Sequence, residues 1–305
     1  MPGEEIPDLA SGKVVPLRQP WRWAAGAVVL VVSAQAVHAL VTNAVFQWDV
    51  FGYWFFRPVI VEGLLLTLKL TGLAAVFGLA GGIVLALMRL SKNPVLQAVS
   101  WGYIWIFRSI PLIVLLLFLA NVTALYSTLS LGIPFGPSFV RFNANDVLSF
   151  FVVAVLGLSL NEAAYAAEIV RAGIISVDQG QLEAAAALGL PRSRQYRRII
   201  LPQATRSIIP SYANQLIGLL KGTSVVYITS LLELFGVVET QASTNSGQII
   251  PLLMVGTVWY IILTSVLSVI QYYVERYFSR GALRTVPPTP LQRLREKLRA
   301  VGVVR

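Results

Sequence analysis

Gln181-Leu182-Glu183-Ala184-Ala185-Ala186-Ala187-Leu188-Gly189, followed by Ile199-Ile200-Leu201-Pro202, differs in character from the rest of this chain. Four consecutive alanines favour helix strongly, and residues that small let the surface of another protein approach closely. Gly189 suits the position just past a helix, where a left-handed backbone ends it. Pro202 has no N–H to continue a helix, so a new segment is expected to start there at an angle. Arg192, Arg194, Arg197 and Arg198 surround the stretch, whereas most of the remaining sequence is apolar.

The chain has 305 residues, of which 56% are hydrophobic and 12% charged, with a mean hydropathy of +0.71. Soluble domains carry about 25% charged residues, so this composition points to a membrane protein. With no cysteine, disulfides, thiolate metal sites and thiol nucleophiles are excluded. The single histidine, His38, lies in an apolar run, which argues against histidine metal clusters and Ser–His dyads. No catalytic residue and no metal ligand is assigned. The net charge of +10 raises the question of nucleic acid. The basic residues fall between hydrophobic stretches, however, and that distribution is a signal of topology.

Six stretches are long enough to cross a bilayer about 30 Å thick. They are residues 23–42, 59–90, 110–128, 147–171, 207–232 and 249–273, the third starting at the Pro111 bend. Lysine and arginine number three before Trp23, three in Arg89, Lys92 and Arg108, six from Arg171 to Arg206 and eight from Arg276 onward. The opposite loops hold only Arg57 and Arg141. Twenty against two places both termini and the alanine-rich loop in the cytoplasm. Trp21, Trp23, Trp48, Tyr53, Trp54, Trp101 and Tyr103 fall near span ends, as interfacial anchors do. After a proline-rich linker, Leu291, Leu294, Leu298 and Val301 share one face of a short basic helix suited to an anionic lipid surface.

Glu183, Ala184, Ala185 and Gly189, with Ile199, Leu201 and Pro202, resemble the loop signature of permease subunits of ATP-binding-cassette importers. Three further stretches resemble the polar amino-acid branch of that family. They are Thr67-Leu68-Lys69-Leu70-Thr71 with Phe107-Arg108-Ser109-Ile110-Pro111-Leu112, the run from Asn161 to Ile174, and Leu220-Lys221-Gly222-Thr223-Ser224. The resemblance covers residues 59–278. It implies an all-α integral membrane protein with a five-helix permease core. One extra N-terminal span (residues 23–58 with its external loop) precedes the core, and basic cytoplasmic segments (1–22 and 279–305) flank the whole. It further implies a bacterial inner-membrane location and a cytoplasmic coupling loop over residues 172–206, gripped by a dimer of partner ATPases. A second permease subunit and an extracytoplasmic amino-acid-binding protein complete the assembly. ATP and Mg would sit on the partner ATPase, since Gly12-Lys13 is followed by Val14 and the phosphate-cradling loop is missing here. Within the family the rival reading is an importer permease for another small solute. Outside it, the rival is a secondary carrier driven by an ion gradient through Glu162 and Lys221, which leaves the loop signature unexplained.

Charges inside spans cost about 2.5 to 3.5 kcal/mol each on insertion scales and need an explanation. Glu168 and Arg171 are spaced as an i,i+3 pair. Glu162 and Lys221 fall near mid-bilayer from the same side. They are either a buried ion pair between helices or a site in which Glu162 meets an ammonium and Lys221 a carboxylate, the two ends of an amino acid. Asn161, Tyr165, Thr223 and Ser224 are hydrogen-bonding neighbours that suit either role. Glu62 and Lys69, two helical turns apart, form a candidate structural pair. Gly78, Gly81 and Gly82, and Ala154 with Gly157, are expected to be faces for close helix packing.

Overall fold

The computed structural model describes residues 20–278 except 134 and 135. The amphipathic tail helix expected over 291–301 lies outside the described residues. The chain divides after Trp48 into two compact units. In the first, α1 (Pro20–Thr42) is apolar and buries none of its residues, and the Asn43 side chain caps a short 3₁₀ turn over Ala44–Phe46.

In the second unit α2 (Trp48–Phe55) leads through Pro58 into α3 (Pro58–Arg89). Two elements follow: α4 (Pro94–Ser109) and α5 (Leu112–Ala120). A single turn, α6 (Val122–Leu125), leads into an antiparallel hairpin of β1 (Thr128–Gly132) and β2 (Ser138–Asn143). Another turn, α7 (Ala144–Val147), precedes α8 (Phe150–Ile175), which Ser149 caps. Then come α9 (Gln179–Ala187) and α10 (Arg192–Gln195). A π-turn over Tyr196–Ile200 passes directly into α11 (Leu201–Gly222) and a 3₁₀ run over Thr223–Thr229. Last are α12 (Leu234–Thr244) and α13 (Ile249–Phe278). Among the described residues four helices are long and apolar enough to cross a membrane, and up to six spans result if each of two bent pairs counts as one.

Helices α3 and α8 form the centre, and they meet through the expected small faces. A Cβ on Gly78 would lie 2.6 Å from Glu162 Cγ, and one on Gly82 would lie 2.5 Å from Ala166 Cβ. Without side chains at 78 and 82 the backbones approach closely, which is how helices gain contact where no hydrophobic effect drives them together. On α8 the residues that meet these glycines are Glu162, Ala163, Ala166 and Ala167, whereas Gly157 turns to Leu116 and Leu119 of α5. One core cluster gathers Leu70, Leu116, Leu158, Leu219 and Val226. Another joins Ile60 and Leu64 to Leu234, Val238 and Leu252, with Phe55 stacked on Trp259 at 4.8 Å on its edge.

Three expectations need correction. The third span is not a helix over 110–128. The helix α5 is nine residues long and meets α4 at 100°, because Pro111 forces Ile110 into an extended conformation. The charged segment before it, expected as a loop, is the helix α4, started by Asn93 accepting from Val95 N at 2.9 Å with Pro94 in the first turn. Secondly, residues 128–143 add a β-hairpin to the otherwise helical chain. Thirdly, Pro202 does not open a segment at an angle. The helix runs through it, because the π-turn lets Leu201 N reach Tyr196 O and Pro202 sits in the first turn of α11, where its missing N–H is not needed.

Candidate functional site

The alanine-rich loop folds as a clamped helix. Asp178 caps α9 by accepting from Gln181 N at 3.2 Å. At the other end Gly189 takes φ +72°, Leu190 N donates to Ala185 O at 3.0 Å and Gly189 N to Ala186 O at 2.9 Å. This pair of bonds is the left-handed helix stop that the sequence anticipates for Gly189. Leu182 and Ile199 pack on a small cluster of Val177, Ile200 and Ala204, and Gln203 Nε2 donates to Gln181 Oε1 at 2.6 Å. The signature residues therefore divide by direction. Ala185 is buried, and half-buried Ile199 packs in the cluster that includes Ile174 of α8 and Ala204 of α11. Glu183, Ala184, Gly189, Leu201 and Pro202 are exposed, and Leu188 beside them is 80% exposed. Arg192, Arg194, Arg197 and Arg198, which follow in sequence, are exposed as well.

Of the charges in the spans, Glu168 and Arg171 form the expected pair, with Arg171 Nη2 donating to Glu168 Oε2 at 2.7 Å and Nε at 3.1 Å. Glu62 and Lys69 do not pair; Lys69 Nζ instead lies 4.7 Å from the Phe151 ring centre. Nor do Glu162 and Lys221 pair with each other. Glu162 is 2% exposed over Gly78, and Gln215 Nε2 donates to its Oε2 at 3.1 Å. Its Oε1 has no hydrogen-bond partner, and the Tyr212 hydroxyl, which donates to Ala75 O at 2.7 Å, lies close enough to interact with the carboxylate as well. Lys221 is exposed on a different face, where it lines a pocket of about 390 Å³ with Ser224, Thr257, Tyr260 and Thr264.

The other pathway candidates also scatter. Asn161 Nδ2 donates to Phe107 O at 3.0 Å, and Tyr165 lies under the Arg108 guanidinium at 5.3 Å, so both face α4. Thr223 is buried and returns its hydroxyl to Leu220 O. Within one chain, then, Lys221 and Ser224 come together, and Glu162 stands apart with Gln215.

The sequence analysis missed a second buried carboxylate. Glu233 caps α12 through Gly236 N at 2.9 Å, and its Oε2 accepts from Thr67 Oγ1 at 3.1 Å and Tyr260 Oη at 3.0 Å. It ties α3, α12 and α13 together next to the Lys221 pocket, which Tyr260 also lines. The available signal was an acid between leucines, followed three residues later by a glycine at the start of a helix.

Residues 78–282 match the family described as binding-protein-dependent transport system inner membrane component. The chain belongs to that family. Among its relatives is the arginine transport system permease protein ArgU of Corynebacterium glutamicum, 42% identical over 281 residues, covering 92% of this chain and 87% of ArgU. The glutamate/aspartate import permease protein GltK of Escherichia coli is 36% identical over 219 residues, covering 72% of this chain and 93% of GltK. A crystal structure of an amino acid ABC transporter with histidines aligns with a TM-score of 0.61 at 31% identity, covering 72% of this chain and 94% of that one. The family match includes the clamped loop, Glu162 and Lys221, so both candidate regions belong to the permease body.

Proposed function

We propose that this chain is the transmembrane permease subunit of an ATP-driven importer for polar amino acids in a bacterial inner membrane. The observation that carries the proposal is the clamped loop helix. Leu182 and Ile199 pack on the permease body, while Glu183, Ala184, Leu188 and Gly189 stand exposed in a stretch that carries six arginines from Arg171 to Arg206. A rigid helix presented in this way transmits a push from a partner. In the proposed assembly that partner is a dimer of ATPases holding ATP and Mg. Closure of the dimer moves residues 172–206 and, through Leu182, Ala185 and Ile199, shifts α8 and α11, which switches the pathway between outward and inward access. Six spans with both termini in the cytoplasm, a second permease subunit and an extracytoplasmic binding protein complete the proposal.

Arginine is the first solute to test, because the arginine permease ArgU matches this chain over nearly its whole length. A buried carboxylate with one unpartnered oxygen, Glu162, suits a cationic end, and Lys221 with Ser224 in the open pocket suits a carboxylate. Since the two sites are separate in the resting chain, the proposal requires Glu162 to become accessible only as α3, α8 and α11 shift. The test is reconstitution of the chain with its cognate ATPase and binding protein in vesicles. ATP-dependent uptake of labelled arginine is expected. ATPase co-purification without uptake of any polar amino acid rules out the substrate class, and failure to bind an ATPase rules out the importer.

A further inference from the structure

A second pocket, of about 480 Å³, opens between the end of α3, the helix α4 and the inner half of α8. Arg89, Arg108 and Arg171 line it together with Glu168, Trp101 and Trp105. Three guanidiniums face one carboxylate, and Arg171 already engages that carboxylate. Arg89 and Arg108 form no ion pair among the described residues and share only the field of Glu168, so three cations against one carboxylate leave the pocket with net positive charge in a largely apolar protein.

The wall beside it is aromatic. Trp101 and Trp105 stack at 6.0 Å with planes 5° apart, and they are 53% and 60% exposed. Along the same helix Val95, Val99 and Ile106 are exposed as well. Tryptophan prefers the depth of headgroups and glycerol, and arginine forks match phosphate oxygens. We propose that this pocket binds the phosphodiester headgroup of an anionic phospholipid, with the arginines on the phosphate, the tryptophans against the glycerol and the acyl chains along α4. A free phosphate would satisfy the arginines but leave the aromatic wall and the apolar flank uncovered. Basic pockets between helices at a membrane face are established places for anionic headgroups. The site is independent of the transported solute; only the choice of leaflet rests on the proposed topology.

The assembled transporter, exchanged into phosphatidylcholine detergent micelles with trace phosphatidylglycerol, is expected to retain one phosphatidylglycerol per copy of this chain in native mass spectrometry. Removing one arginine (Arg89→Gln or Arg108→Gln) should weaken retention about fivefold, the usual worth of one basic residue near an anionic surface, and removing both about 25-fold. Arg108→Lys should recover part of the loss. Unchanged retention in the double variant overturns the site. If glycerophosphoglycerol without acyl chains competes as well as the whole lipid, the pocket holds a free phosphodiester and the lipid assignment fails. Should the double variant not assemble, the wild-type complex decides the matter. A phosphatidylglycerol carrying a photoactivatable group near its head should label residues 101–109, and labelling confined to other segments overturns the proposal, as does a pocket closed by an acidic group of a second permease subunit.

Discussion

Two acidic regions of this permease, both containing glutamate in or beside a helix, are held in opposite ways. Glu183 lies on a short helix whose ends are closed by Asp178 and Gly189, each bond made within a few residues of sequence. Glu162 lies in the middle of a 26-residue helix, and the amide that donates to it, Gln215, comes from 53 residues away. The local arrangement leaves its carboxylate exposed. The long-range one buries its carboxylate and leaves an oxygen unpartnered, at a cost of about 1–3 kcal/mol. A membrane protein keeps such a group where function repays it.

The largest effect should come from filling the space beneath Glu162. Gly78→Leu places a side chain where even a Cβ lies 2.6 Å from Glu162 Cγ. We expect a loss at or above the ~1–3 kcal/mol typical of overpacking, because the clash reaches Glu162 Cβ, which moves only with the backbone of α8. Thermal unfolding in detergent should show it, and a normal melting point would mean that α3 and α8 do not meet as described.

At the loop, Glu183→Lys should leave that melting point unchanged while transport falls at least ~10-fold relative to ATP hydrolysis, about 1.4 kcal/mol of coupling. Equal transport per ATP in the variant would show that the exposed face is not the transmitting one.

The two regions of the membrane interior can be separated by a double-mutant cycle. Glu162→Gln and Lys221→Met are each expected to reduce uptake severely, and the double variant should show no rescue. Effects on stability should add to within about 0.5 kcal/mol, since the two side chains share no partner. Recovery of stability in the double variant would restore the buried ion pair that the structure lacks.

A smaller change is expected on the second carboxylate. Tyr260→Phe removes one of the three donors to Glu233 and should cost about 1 kcal/mol in the melting of the complex, without altering ATPase association. The smallest effect tests orientation. Ser193→Cys in this cysteine-free chain should function normally, and an impermeant thiol reagent applied outside sealed cells should leave it unlabelled.

Much of the loop was legible because its determinants are local. Asp178, the alanine run and Gly189 define helix start, body and stop by backbone chemistry alone. The pair Glu168–Arg171 was legible for the same reason, and the glycines of α3 announced a close approach without naming its partner. Misreadings arose where two local signals competed. Arg89, Lys92 and Arg108 spoke for a loop, while Asn93-Pro94 spoke for a helix start, and packing of Ser100 and Ile104 against neighbouring helices decided for helix. At Pro202 the missing N–H implied a break, and a π-turn removed the need for one.

From the sequence alone came the membrane character, the clustering of positive charge in alternate connections, the family resemblance and the architecture of the alanine-rich helix α9, because hydropathy and backbone capping act over a few residues at a time. Only the tertiary structure decided which polar groups meet. It set Gln215 on Glu162, drew Thr67 and Tyr260 onto Glu233, and separated Lys221 from the carboxylate it seemed to match by depth. The physical reason is that depth in a bilayer follows from counting residues along one helix, whereas a hydrogen bond between helices depends on the rotation of both, and that rotation is set by small residues such as Gly78 and Gly82 packing against α8.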